Sequence, residues 1–233
     1  LVVDGALFGA FGSSGQRCTS TSRLVVQREI ASAVVEALTE RAAALRLGDP
    51  LDPSTDVGPV ITAESARRIL GMVDAAVAEG AKAVTGGVMR SDVAGCDGGA
   101  FFEPTILTGV LRTHRVAREE VFGPVLSVIE VDDLADAVEV VNAVEFGLSA
   151  AIYTRDINSA LSAVEAIDTG IVYVNAPTIG AEIPLPFGGT KHTGNGFREA
   201  GARGIEQFSQ VKTVYVDYSG RLQRAQIDNR SDA

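Results

Sequence analysis

Apolar residues recur along this chain in two alternating periods. Residues 22–27 (SRLVVQ) form a short β-branched run. Residues 29–46 follow with Ile30, Val34, Leu38 and Leu45 at roughly helical spacing, stopped by Gly48 and Pro50. Thr62 is placed to cap a second helix that carries Ile69, Met72, Val73 and Val77 on one side and ends at Gly80, after which residues 82–85 (KAVT) read as a short strand. The alternation then repeats. Residues 125–131 (VLSVIEV) read as a strand, Asp132 as the cap of a helix bearing Leu134, Val138 and Val141, and residues 148–154 as another strand. Asp156 caps a helix with Leu161, Val164 and Ile167, closed by Gly170, and residues 171–175 (IVYVN) are a continuous apolar run of the kind buried on both faces. Strands alternating with helices predict a layered α/β domain with a mainly parallel sheet.

Between Pro177 and Gly204 the periodicity gives way to a Gly/Pro/Thr-rich stretch, long for a connection inside a compact domain and therefore expected to be functional or interfacial. Residues 211–218 (VKTVYVDY) then alternate in period two, which predicts a strand in need of a sheet, and the charged remainder has no core-forming pattern. The division expected is a thiol-bearing domain over 1–210, a strand over 211–218 and a tail over 219–233.

Composition narrows the function classes. The chain has 233 residues, 46% hydrophobic and 21% charged, enough for one good-sized core. Lys plus Arg number 20 against 30 Asp plus Glu, a net charge of −10, which argues against nucleic-acid or anionic-membrane partners. A small molecule or a second copy of the chain is the expected partner. No uncharged apolar run is long enough for a membrane span, and the first thirty residues carry neither a basic leader nor an apolar signal region, so a cytoplasmic protein is expected. Two cysteines, Cys18 and Cys96, and two histidines, His114 and His192, do not make a disulfide framework or a structural zinc site, and no metal is expected. The chain opens at Leu1 on an apolar stretch with no N-terminal punctuation, the pattern expected of a piece of something longer.

The chemistry concentrates in residues 11–22, FGSSGQRCTSTS. Cys18 sits among small polar residues, close after Gly15, which permits tight backbone approach, and beside Arg17, whose charge favours thiolate. A thiol with an ordinary pKa of about 8.5 is only a few per cent ionised at pH 7, so catalysis needs a base or a lowered pKa. From local chemistry alone the competing reading is a small buried core cysteine.

Phe11 to Cys18, in the arrangement FxxxGQRC, resembles the active-site cysteine signature of the aldehyde dehydrogenase superfamily. FFEPTIL (101–107), EEVFGPV (119–125), FGLSAAIYT (146–154), GIVYVN (170–175) and PFGGTKHTGNGFREAG (186–201) are similar to further blocks of that family, in family order over essentially the whole chain. The resemblance implies the catalytic domain of the aldehyde dehydrogenase fold, with NAD or NADP as cofactor. It makes Cys18 the nucleophile that attacks an aldehyde, with its own backbone N–H helping to hold the oxyanion. Glu120 matches the acid that binds the nicotinamide-ribose hydroxyls, and Phe122 the aromatic beside the nicotinamide; from the residues alone, a solvated acid and a core aromatic compete with those roles. The family's general base, its oxyanion-hole asparagine and its nucleotide-binding domain all precede the cysteine. None is expected within this chain, which has no G-x-G-x-x-G after a strand, and whose run from Gly188 to Gly196 is no P-loop. Loss of a general base costs about two to four orders of magnitude, so the chain alone is expected to show little dehydrogenase activity.

Arg17 and the loop IGAEI (179–183) look most like members that oxidise carboxylate-bearing semialdehydes, such as the α-aminoadipic semialdehyde dehydrogenases. Arg17, with the backbone of Gly180 and Ala181, would grip the carboxylate, and Phe187 would line the channel; the competing reading puts Arg17 in a structural ion pair. The strand at 211–218 resembles the family's oligomerisation strand and implies a homo-oligomer. Two other readings stand beside this one: a non-enzymatic oligomerising domain, and a Cys/His hydrolase built on Cys18 and His192. His114 is expected at the surface, and Cys96 in a polar turn.

Overall fold

The structure, a computed structural model, describes residues 1–221. Its elements run α1 (Val2–Phe11), β1 (Arg23–Gln27), α2 (Arg28–Ala43), α3 (Ala63–Ala78), β2 (Lys82–Thr85), β3 (Met89–Arg90), β4 (Phe101–Phe102), β5 (Thr105–Thr108) and α4 (Arg115–Arg118). There follow β6 (Val125–Val131), α5 (Leu134–Asn142), β7 (Phe146–Gly147), β8 (Ser149–Ile152), α6 (Ile157–Ala166), β9 (Ile171–Val174), β10 (Thr190–Lys191) and α7 (Gly201–Glu206).

The main sheet has the order β1-β6-β5-β2. β1 and β5 pair with β6 in parallel and β2 pairs with β5 antiparallel. β6 shows how one strand organises two cores. Val125, Ile129 and Val131 point into the layer with α3, α4 and α5, while Leu126 and Val128 point into the layer with α1 and α2. On β5, Leu107 and Ile106 split the same way. This is the two-residue alternation of a strand applied to a sheet covered on both faces. Each such side chain taken out of water contributes roughly 1.5–3 kcal/mol.

Two helix starts form as their sequences dictate. Thr62 Oγ1 accepts the Ser65 N–H at 3.0 Å, and the Asp156 carboxylate accepts the N–H groups of Asn158 and Ser159 at 3.1 and 3.2 Å. The cap of α5 is Asp133, which accepts from Asp136 N at 2.8 Å, rather than the expected Asp132, whose side chain pairs with Arg28. In α6 the expected apolar stripe faces outward: Leu161 is 62% exposed, whereas Ala160 and Ala163 are buried. β9 pairs in parallel with β8 alone and is half-buried, so the expectation of burial on both faces does not hold here. The β8–β9 pair lies across from β1 over a cleft of about 360 Å³ lined by Leu24, Val26, Ala137, Val138, Ala150 and Ile152, and also by Ser20, Thr21, Pro177 and Thr178.

Residues 211–218 are not a strand within the described residues. Among the described residues they find no sheet edge, and Val211, Tyr215 and Tyr218 are each more than nine-tenths exposed. Of the tail expected at 219–233, residues 222–233 lie outside the described residues. His114 is buried rather than superficial, its Nδ1 accepting the Leu111 N–H at 3.3 Å.

Candidate active site

Two loops meet at one end of the main sheet because the strands that they precede are parallel neighbours. The Cys18 loop leads into β1 and the Glu120–Phe122 loop leads into β6, with Arg23 opposite Ser127 in the register. α1 ends at Phe11, and the chain then takes three successive left-handed residues: Ser13 (φ 52°), Ser14 (φ 55°) and Gly15 (φ 66°). For a non-glycine residue this region costs about 1–2 kcal/mol, so something must hold the turn. Ser14 is buried and its hydroxyl donates to the Gly58 carbonyl at 2.8 Å, while Gln16 Oε1 accepts the Ile61 N–H at 2.9 Å.

Gly15 brings the two loops together. A Cβ at this position would overlap the Gly123 carbonyl oxygen and lie 2.8 Å from the carbonyl oxygen of Ala10. Only a glycine permits both the positive φ and this approach. Gly123 is itself packed against Ile69 of α3, where a Cβ would lie 2.8 Å from Ile69 Cγ1.

Cys18 is exposed at the tip of the turn that follows. Arg17 N–H donates to Ser20 Oγ at 3.1 Å and Ser20 N–H returns to the Arg17 carbonyl at 3.0 Å, closing four residues with Cys18 and Thr19 in the middle. The Arg17 side chain donates from Nε to Ser13 Oγ at 2.9 Å and pairs with no carboxylate among the described residues. Its guanidinium therefore carries no carboxylate partner among the described residues, and the structural ion pair that competed with a ligand role is absent there.

On the facing loop the two adjacent acids differ. Glu119 is paired with Arg115 at 2.7 Å, whereas Glu120 makes no hydrogen bond or ion pair among the described residues. Partial burial raises the Glu120 carboxyl above its usual range, against the smaller opposing pull of Arg68. Arg68 also donates to the Val121 carbonyl at 2.6 Å and so fixes the loop. Phe122 stands 41% exposed at φ 48°, a left-handed aromatic held outward between buried Val121 and Gly123. A free carboxylate beside an open aromatic face suits the hydroxyls and flat ring of a nucleoside end.

The other expected site residues are more dispersed. Gly180 (φ 121°) and Ala181 are exposed, following buried Ile179, and Phe187 is half-buried, pairing through its backbone with Glu199. Among the described residues no hydrogen bond ties Gly180, Ala181 or Phe187 to Arg17, whose partners are Ser13 and Ser20. Cys96 is half-buried in its turn, and its N–H bonds to the Val93 carbonyl at 3.0 Å. His192 lies in the turn directly after β10, exposed and 3.8 Å from Glu145, and no hydrogen bond joins it to Cys18 among the described residues, so the hydrolase pair is not assembled. No group of three or more His, Cys, Asp or Glu able to hold a metal, and no helix long and apolar enough to cross a membrane, occurs among the described residues. Reasoning from sequence missed Thr178. Its hydroxyl lies 2.7 Å from the Thr19 carbonyl and 2.8 Å from Thr21 Oγ1, and no local motif around it marks that role.

The fold and the candidate site together define a thiol-bearing α/β unit. Residues 1–214 match the aldehyde dehydrogenase family, and the chain belongs to that family of oxidoreductases. It is 39% identical over 215 residues to a betaine aldehyde dehydrogenase of Mesorhizobium japonicum, covering 92% of this chain and 44% of that protein. It is 40% identical over 219 residues to a vanillin dehydrogenase of Pseudomonas fluorescens, covering 94% and 44%. Among solved structures, an NAD-dependent aldehyde dehydrogenase from Sinorhizobium meliloti superposes with a TM-score of 0.89 at 35% identity, covering 96% of this chain and 43% of that one. Betaine aldehyde dehydrogenase from Staphylococcus aureus in complex with NAD+ gives 0.83 at 35% identity, covering 88% and 40%. The chain thus spans less than half the length of these relatives.

Proposed function

We propose that this chain is the thiol-bearing part of an enzyme that oxidises an aldehyde to the acid with NAD. The observation that supports the reading is the close packing of Gly15 on Gly123, which brings the loop that carries Cys18 against the loop that carries Glu120 and Phe122. Cys18 Sγ would attack the aldehyde carbon to form a C–S bond, its thiol proton passing to water as the carbonyl π pair moves to oxygen, and its backbone N–H would stabilise the oxyanion. Bound NAD would supply the hydride acceptor for that carbon. Water then cleaves the resulting thioester, releasing the acid and returning the thiol. Glu120 would hold the ribose hydroxyls and Phe122 would lie against the ring. The NAD-bound structures of the relatives support NAD as cofactor.

The substrate is an aldehyde. The relatives act, by their names, on a quaternary ammonium aldehyde and on an aromatic one, so a likeness to α-aminoadipic semialdehyde dehydrogenases in particular does not emerge from them. A carboxylate-bearing semialdehyde keeps one support, the unpaired Arg17 guanidinium one residue before the nucleophile. The exposed segment 211–218 supports homo-oligomerisation by strand addition. Both cysteines are free thiols, in keeping with a reducing compartment such as the cytoplasm.

Acyl transfer tests the thiol chemistry independently of cofactor. The chain is incubated with p-nitrophenyl acetate, and the acyl group is located by peptide mass spectrometry. The expected result is acetyl on Cys18, with its loss in Cys18→Ala. Acetyl on Cys96 alone, or on neither, would remove the nucleophile from this reading.

A further inference from the structure

We propose that Thr178 is a positioning residue for the nucleophile, the central link of an oriented hydroxyl chain that ties the Cys18 turn to the loop bearing Gly180 and Ala181. The proposal rests on the reading of Cys18 as the reactive thiol.

The direction of the chain follows from counting protons. Thr178 Oγ1 lies 2.7 Å from the Thr19 carbonyl oxygen, which can only accept, so the single hydroxyl proton of Thr178 is committed there. The contact of Thr178 Oγ1 with Thr21 Oγ1 at 2.8 Å must then be donated by Thr21. The sense is Thr21 O–H to Thr178 O–H to the Thr19 carbonyl, an arrangement in which each bond polarises the next.

The location gives this chain its consequence. Thr19 is the buried residue after Cys18 inside the closed turn, and its carbonyl is a backbone handle by which a distant element holds the turn. Thr21 is held from below: its N–H donates to the Gly9 carbonyl at 3.0 Å, and Gly9 leaves room for Thr21 Oγ1 that a Cβ would occupy. On the far side, buried Ile179 anchors the loop directly after Thr178, ahead of exposed Gly180. Movement of residues 180–181 around a ligand is therefore passed through Thr178 to the peptide beside Cys18.

The test compares iodoacetamide alkylation of Cys18 in the wild-type chain, Thr178→Val, Thr178→Ser and Thr21→Val across neutral to alkaline pH, with Cys96 in each sample as internal reference. Thr178→Val is expected to change the Cys18 rate by about fivefold, the factor carried by one net hydrogen bond, or to move its pH midpoint, with Cys96 unchanged. Thr178→Ser keeps the hydroxyl and is expected to stay at the wild-type values. Thr21→Val leaves the Thr178–Thr19 bond in place and is expected to have a smaller effect than Thr178→Val. A wild-type rate and midpoint at Cys18 in Thr178→Val would overturn the proposal, as would an effect of Thr21→Val equal to or larger than that of Thr178→Val. If Thr178→Val does not fold, the order Thr21→Val below wild type and Thr178→Ser at wild type supports the proposal, and any other order overturns it. Failure of the nucleophile reading shows elsewhere, in wild-type Cys18 reacting no faster than Cys96, while the ratio of variant to wild type still decides the role of Thr178.

Discussion

Gly15 and Gly123 are packed so closely that neither loop of the site keeps its place without the other: a single added carbon on Gly15 would enter the Gly123 carbonyl. Gly15→Ala combines an unfavourable positive φ with overpacking against backbone that cannot rotate away. Together these are expected to cost about 2–4 kcal/mol in urea unfolding. Gly71→Ala makes a control, since its added Cβ meets nothing and α3 gains a better helix former, so stability is expected to rise by roughly 0.5–1 kcal/mol.

Glu120 is expected to lower stability at neutral pH in exchange for its role. Its folded pKa is raised, so the folded state holds the proton more tightly than the unfolded chain does, and stability falls as pH rises from the ordinary carboxylate value through the raised one. Glu120→Gln should therefore be slightly more stable than wild type at pH 7, with the difference vanishing in acid. Chemical unfolding at both pH values measures it. A less stable Glu120→Gln at pH 7 would show that the carboxylate is paired rather than held free.

One of the two helix caps responds to pH and the other does not. Backbone and side-chain hydrogen bonds from Ser159 and Asn158 hold the Asp156 carboxyl below its usual range. Its stabilisation is present above the unfolded pKa and is lost as pH falls through the depressed folded value. Asp156→Ala should lose stability at neutral pH and converge on wild type in strong acid. Thr62→Ala removes a neutral cap and should cost about 1 kcal/mol at every pH. Urea midpoints of the two variants across the acid range separate the cases.

The exposed residues Val211, Tyr215 and Tyr218 have no partner edge among the described residues. If this segment adds to a neighbouring copy, Tyr215→Lys should shift the sedimentation profile toward monomer without changing the unfolding midpoint. An unchanged profile would place self-association elsewhere.

The sequence spelled out those parts of the fold in which one residue type has one use. The alternation of residues 125–131 marked β6, and Thr62 and Asp156 marked helix starts, because a hydroxyl or carboxylate before an apolar period has few other functions. Where two candidates adjoin, as at Asp132 and Asp133, the pattern does not choose; the cation at Arg28 does. The stripe on α6 was readable as apolar but not as outward-facing, since periodicity defines a face without saying what covers it. The helical character of residues 2–11 was hidden because they are apolar almost throughout and show no clean period. For the candidate site, Cys18 stood out by its small, polar and cationic neighbours as well as by a family block, whereas Glu120 and Phe122 stood out only through family blocks. The left-handed Ser13 and Ser14, and the tie from Thr178 to Thr19, are set by contacts more than forty residues away in sequence and leave no local signature.

If the fold prepares Cys18 as a nucleophile, its thiol reacts ahead of the chain's other one. Iodoacetamide labelling of the chain near pH 7, with Cys18 and Cys96 followed separately by mass spectrometry and Cys18→Ala as control, measures this. Cys18 is expected to be alkylated much faster than Cys96. Equal, slow alkylation at both would contradict it.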